Sequence, residues 1–164
     1  VSVTVRHAAA KDLEVVRTLF TEYVAAPHAE TLFHEYLAQQ DFKRELAELP
    51  GSYARPLGAL LLAEHGDIVV GCVALKQLEP AVCEMKRLYV RNEARGLGAG
   101  HALVAAVIDA AREAGYSHMR LDCMPSMREA QKLYRGFGFY EIPPYNENPV
   151  AGSLFLELAL AVGS

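Results

Sequence analysis

Between Leu57 and Ala114 the chain runs through three apolar strands, a glycine-rich loop and an apolar helix, and that succession admits few folds. Leu57 to Glu64 and Ile68 to Gln77 flank the turn His65-Gly66-Asp67, which makes them a β-hairpin. Glu79-Pro80 supplies a second turn, and Val82 to Val90 is the third strand of a meander. Arg91 to Gly100 then leads into a helix from His101 to Ala114, with Gly115 as its C-cap. A dinucleotide-binding unit would place a βαβ crossover here, and a meander is not one.

The flanking segments complete the pattern. Val3 and Val5 alternate as a first strand, and from Asp12 a helix places Leu13, Val16, Phe20 and Tyr23 on one face until Pro27. A second helix is expected from Glu30 to Leu49, ended by Pro50-Gly51, with Phe33, Leu37, Phe42, Leu46 and Leu49 on its apolar side. After the central helix come a strand at Met119 to Met124, a helix at Met127 to Arg135, a strand at Phe137 to Ile142 and a last strand at Leu154 to Leu160. The order is β-αα-βββ-α-β-α-β-β, an α/β chain with a mixed sheet and helices on both faces. No repeat or linker interrupts it, so one domain over residues 1–164 is expected.

Charge bears on what such a chain can bind. The whole carries a formal net charge of −4, which speaks against a surface that grips nucleic acid. Lys86 to Arg135 nevertheless holds nine basic and five acidic residues, a local balance of +4, and the remainder carries −8. An anion is therefore favoured in the middle of the chain. Cys72, Cys83 and Cys123 lie in apolar runs without C-x-x-C spacing, as buried thiols in a reducing compartment do. The histidines show no metal-ligand spacing. The longest apolar stretch, Leu57 to Ala63, is too short for a membrane span, and the N-terminus lacks a signal-peptide core. The expectation is a cytoplasmic protein with no metal, no nucleic-acid partner and no membrane partner.

The loop Arg95-Gly96-Leu97-Gly98-Ala99-Gly100 sits directly between strand and helix. Glycines let backbone N–H groups approach a bound oxygen, and the helix start adds unpaired donors and a positive dipole end. Arg95 adds a charged contact, so the segment reads as a pyrophosphate cradle. Its spacing differs from G-x-G-x-x-G, and the Gly-Lys-Ser/Thr of a P-loop is absent. Taken alone, the glycines can equally be turn and cap residues.

Three stretches together resemble the GNAT superfamily, the Gcn5-related N-acetyltransferases. Cys83 to Val90 is similar to that family's central strand, and Arg95-x-x-Gly98-x-Gly100 to its acetyl-CoA loop. Ala130-x-x-Leu133-Tyr134-x-x-x-Gly138-Phe139 is similar to its helix-strand element, and the element order matches over nearly the whole chain. The resemblance implies a predominantly antiparallel sheet splayed at a central strand, and transfer of an acetyl group from acetyl-CoA to a primary amine. It implies that Arg95, Gly98 and Gly100, with the N–H groups of Gly96, Leu97 and Ala99, hold the pyrophosphate of coenzyme A. Pantetheine is then expected along Leu88, Tyr89 and Val90, with the Leu88 N–H on the thioester carbonyl. Where many members carry an asparagine this chain has Met127, so Ser126 or backbone is expected to substitute.

By the same resemblance Tyr134 is the acid that protonates the leaving thiolate, and a helix tyrosine packed in the core is the alternative. Glu84 matches a glutamate that in some members deprotonates the amine through water; a strand glutamate paired with Lys86 or Arg87 is its alternative. His28, His34 and Tyr53 are further candidates for the base. Cys83 and Cys123 have no adjacent base, which favours direct transfer in a ternary complex over an acetyl-enzyme.

The acceptor pocket is expected from His28, Phe33 and Tyr53 together with Tyr145, Asn146 and Asn148 of the Pro143-to-Pro149 loop. The acidic remainder would suit a cationic amine, but −8 spread over two flanks makes no pocket, and the charge leaves the acceptor open. Three readings stand: a small-molecule N-acetyltransferase, a protein N-terminal or lysine acetyltransferase, and a silent acyl-CoA sensor. The first is preferred, as a monomer or homodimer.

Overall fold

The computed structural model describes residues 2–25, 31–39 and 41–160, the side chains of residues 31–33 and 39 excepted. Among these residues one sheet contains β1 Val3–His7, β2 Ala59–His65, β3 Ile68–Glu79, β4 Val82–Val90, β5 His118–Cys123, β6 Tyr140–Glu141 and β7 Leu154–Ala159. The helices are α1 Leu13–Ala25, α2 Thr31–Gln39, α3 Phe42–Glu48, α4 Ala99–Glu113 and α5 Arg128–Gly136. In space the strands run β1-β2-β3-β4-β5-β7-β6, and every pairing is antiparallel except that of β4 with β5. No helix among the described residues is long and apolar enough to cross a membrane.

The strand alternation sorts the core into two layers. Ala59, Leu61 and Ala63 of β2 pack with Leu103, Val104 and Val107 of α4. Their neighbours Leu60 and Leu62 turn to Val16, Leu19 and Phe20 of α1. A strand covered on both faces needs no polar alternation, which is why β2 reads as one apolar run. Each fully buried Leu or Phe contributes about 1.5–3 kcal/mol through removal from water.

Two elements depart from the sequence pattern. The helix expected over 30–49 is two helices, because Asp41 takes a left-handed backbone with φ 56°. Its apolar residues step by five between Leu37 and Phe42, and a continuous helix would turn those two faces apart. The strand expected from Phe137 is only Tyr140–Glu141. Phe137 and Gly138 instead close α5, with Gly138 at φ 100° and its N–H on the Arg135 carbonyl at 3.0 Å.

Strand β4 organises the site. Its parallel pairing with β5 covers only Val82, Cys83 and Glu84, opposite His118, Met119 and Arg120. Beyond Glu84 the two strands part. On the other side the register slips, since Cys72 pairs with Tyr89 but Ala74 with Lys86, and Arg87 at φ 62° is the extra residue. The bulge reverses the alternation. Cys83 and Met85 pack on the α4 layer, and beyond the bulge Leu88 and Val90 do as well. Glu84, Lys86, Arg87 and Tyr89 are thereby turned to the opposite face.

Candidate active site

The loop after β4 leads directly into α4. Gly96 and Gly98 adopt φ 84° and 81°, and α4 begins at Ala99 with the Gly98 carbonyl accepting the Ala102 N–H at 3.0 Å. The N–H groups ahead of Ala102 have no carbonyl one turn back, so the helix start presents free donors. Arg95, Gly96, Gly98, Ala99 and Gly100 line a cavity of about 820 Å³ that continues along Leu88, Tyr89 and Val90 and past Ser126. Leu97 is the exception among the expected residues. It is exposed, and its N–H bonds the Ala94 carbonyl at 3.3 Å. Arg128 and Lys132 of α5 line the same cavity, two cations that the sequence reading counted only as regional charge.

Where β4 and β5 part, a cavity of about 40 Å³ holds Lys86, Leu88, Asp122, Cys123, Met127 and Tyr134 on its walls. Tyr134 is buried, with its ring 5.7 Å from that of Phe139. Burial, aided by Cys123, Tyr23 and Asp122, pushes its phenol well above the ordinary value of 10. Its hydroxyl makes no hydrogen bond to the described residues. Burial also raises the Cys83 and Cys123 thiols to about 12, which leaves both protonated and unreactive.

On the far side of Lys86 lies a polar cavity of about 320 Å³, walled by Tyr36, Glu45, Lys76, Glu84, Tyr145 and Asn146. Glu84 is 4% exposed and accepts the Tyr145 hydroxyl at 2.7 Å. It pairs with neither neighbour on the strand. Arg87 reaches away to Glu45 of α3, at 2.9 and 3.0 Å, and stacks over Phe42 at 5.3 Å. Asp122 gathers three donors on one oxygen: Tyr36 through a short hydrogen bond, Asn146 at 3.0 Å and Asn148 at 3.2 Å. Burial first, then Asp122, holds the Tyr36 phenol far above its ordinary value.

The comparisons with known proteins agree with this geometry. Residues 14–139 match the model of the acetyltransferase (GNAT) family. The chain belongs to the GNAT acetyltransferase family. It is 38% identical over 154 residues to an uncharacterised N-acetyltransferase of Schizosaccharomyces pombe, across 92% of this chain and 90% of that one. It is 34% identical over 110 residues to N-acetyltransferase 8F1 of Rattus norvegicus, across 64% of this chain and 49% of the relative. The PaiA N-acetyltransferase of Thermoplasma acidophilum, solved with coenzyme A, shares the fold with a TM-score of 0.72 at 19% identity, over 97% and 99% of the two chains. The yncA protein of Salmonella typhimurium, solved with acetyl-CoA, does so with a TM-score of 0.70 at 18% identity, over 100% and 97%. This GNAT protein is an acetyl-CoA-dependent N-acetyltransferase, and its acceptor is an amine.

The cradle of this acetyltransferase suits the diphosphate of that cosubstrate. A Cβ added at Gly96 or Gly98 would stand in the open space before the loop, where an oxygen can approach backbone donors. Met127 lines both the long cavity and the small one, so a thioether stands where many members carry an amide.

The expected acceptor residues divide. Tyr145 and Asn146 wall the polar cavity, and Asn148 reaches the small one. Tyr53 does not join them: it is 2% exposed and packs edge-on against Phe20 at 6.2 Å in the α1 layer. His34 is exposed on α2. His28 and the Phe33 side chain lie outside the described residues. Tyr36, Lys76, Lys86 and Asp122 were not expected at the site. Asp122 carried no distinct signal, since it shares the alternation of His118 and Arg120 on the same strand.

Proposed function

We propose that this enzyme acetylates the primary amine of a small molecule by direct transfer in a ternary complex. Tyr134 serves as the acid, Glu84 as the proton acceptor, and the loop from Arg95 to Gly100 as the diphosphate holder. The observation that carries the reading is the polar cavity of about 320 Å³ reached across Lys86 from the Tyr134 cavity. That volume is in the range of small-ligand sites. Tyr145 and Asn146, tied to Glu84, Tyr36 and Asp122, hold the loop over the cavity as a fixed wall.

Bound acetyl-CoA supplies an acyl group activated as a thioester. The Leu88 N–H, at the bulge and on the edge that β5 leaves unpaired, is the donor for the thioester carbonyl. Glu84 takes a proton from the ammonium, directly or through one water. Tyr145 occupies Oε2, and Oε1 has no partner among the described residues. Tyr134 keeps its proton until the thiolate departs. Burial raises both the phenol and the neighbouring Cys123 thiol and acts on a cofactor thiol in the same direction, so a thiolate formed here is a stronger base than in water.

A thiol-release assay with acetyl-CoA against small amines and against N-terminal and lysine peptides tests the reading. Small amines are expected to turn over with the higher kcat/KM. Preference for peptides would reassign the acceptor to protein. Silence on every amine, with coenzyme A still bound, would make the chain an acyl-CoA sensor.

A further inference from the structure

The charges around the polar cavity do not cancel. Two of its three carboxylates have partners: Glu84 accepts Tyr145 at 2.7 Å, and Glu45 holds Arg87 at 2.9 Å. Behind it, one oxygen of Asp122 receives the hydroxyl of Tyr36 and the amides of Asn146 and Asn148. Glu147 is at the exposed rim. Its ammonium groups are different. Lys76 and Lys86 both line the cavity, and neither forms an ion pair or hydrogen bond with the described residues.

Lys86 is the more consequential of the two. It lines both the polar cavity and the small cavity of Tyr134, so this residue stands where the two meet. Desolvation, reinforced by Arg87, lowers it to about 8, with Glu84 and Asp122 opposing. A cation held in this way has no carboxylate in direct contact among the described residues, and a bound anion would supply that contact. Glu84 and Lys86 lie two residues apart on one strand face, roughly 7 Å along the chain. One small molecule can therefore present an amine to the first and an anionic group to the second.

We propose that the acceptor is an amine that also carries an anionic group, a carboxylate or an equivalent oxyanion, and that Lys86, with Lys76 behind it, binds that group. This rests on the small-molecule reading and narrows it. The chain's overall acidity left the acceptor open, and what narrows it is that two of the three acids at the site are engaged while the lysines are not.

Matched amine pairs with acetyl-CoA test the proposal on the full chain: L-phenylalanine with phenethylamine, L-leucine with 3-methylbutylamine, taurine with ethylamine, and aminomethylphosphonate with methylamine. In at least one pair the anionic member is expected to exceed its neutral partner in kcat/KM by about tenfold to a hundredfold, as for a hydrogen bond to a charged group. Lys86→Met should collapse that ratio through KM, and Lys86→Arg should keep part of it, with coenzyme A binding as the check that each variant is folded. Equal or better turnover of the neutral member in every pair overturns the proposal and leaves the small-molecule reading standing. So does a ratio that survives Lys86→Met and Lys76→Met together. Silence on all eight amines removes the small-molecule reading, and this one with it. The wild-type ratios decide the matter even if a lysine variant does not fold.

Discussion

The Tyr145 phenol, carried by the loop between β6 and β7, donates a 2.7 Å hydrogen bond to Glu84 Oε2 on β4. Sixty-one residues separate the two in sequence, and the bond joins the acceptor loop to the strand that carries the proposed base. Tyr145→Phe keeps the ring, which packs edge-on against Phe155 at 5.4 Å, and removes only the donor. Leaving a buried carboxylate oxygen unsatisfied should cost about 1–3 kcal/mol in urea denaturation. In steady-state kinetics kcat/KM for the amine should fall while KM for acetyl-CoA stays close to wild type. Equal losses on both substrates would place Tyr145 outside the acceptor side.

Tyr134→Phe should reduce kcat by about 10²–10⁴, the usual worth of a positioned acid, with coenzyme A affinity nearly unchanged by calorimetry. Turnover at the wild-type rate would remove Tyr134 from the acid role. The pH dependence has a definite sign. Because the folded phenol is raised above 10, the acid form persists past the pH at which a free tyrosine ionises. Tyr134 therefore imposes no decline in rate between pH 8 and 10. Its linked stability is fully present below about pH 10 and is lost as pH rises beyond it, since only the unfolded chain then releases the proton.

Gly98→Val combines two effects that a second glycine separates. Gly98 at φ 81° and Gly115 at φ 90° both have open space where a Cβ would go, at opposite ends of α4. A valine at either should cost about 1–2 kcal/mol of backbone strain. Only at Gly98 does the added side chain enter the cradle, so only that variant should lose coenzyme A affinity, by about tenfold or more. Equal affinities of the two variants by calorimetry would move the diphosphate away from this loop.

Arg87 is 6% exposed, and its guanidinium meets Glu45 at 2.9 and 3.0 Å. Glu45→Ala removes the carboxylate from a buried cation and should destabilise the fold by about 3–5 kcal/mol. Adding Arg87→Met to that variant should recover much of the loss, because no buried charge then remains. A double-mutant cycle in urea reads the coupling directly, and additive losses would show that the pair contributes little to stability.

Much of the fold was legible because the relevant physics is local. The period of β2 and β3, the turn at Gly66-Asp67 and the glycines from Gly96 to Gly100 each act over a few neighbouring residues. The glycine loop and the start of α4 were readable for the same reason, since they are contiguous in the chain. Even the break at Asp41 had a local trace, in the five-residue step from Leu37 to Phe42.

Only the tertiary structure decided what meets what. Periodicity reports that a face is buried and is silent on which side chain lies across it. Tyr36 reaches Asp122 across 86 residues and Asn146 reaches Tyr36 across 110, encounters set by how α2 and the loop before β7 pack over the sheet. Tyr53 turns into the α1 layer for the same kind of reason. The bulge at Arg87 is the sharpest case, because one extra residue reverses every side chain after it. The sequence alone determined that a glycine loop and a helix start would directly follow a strand. Packing decided which carboxylates around the acceptor are satisfied and which lysines are left without a carboxylate in direct contact, because a charge finds its partner through space.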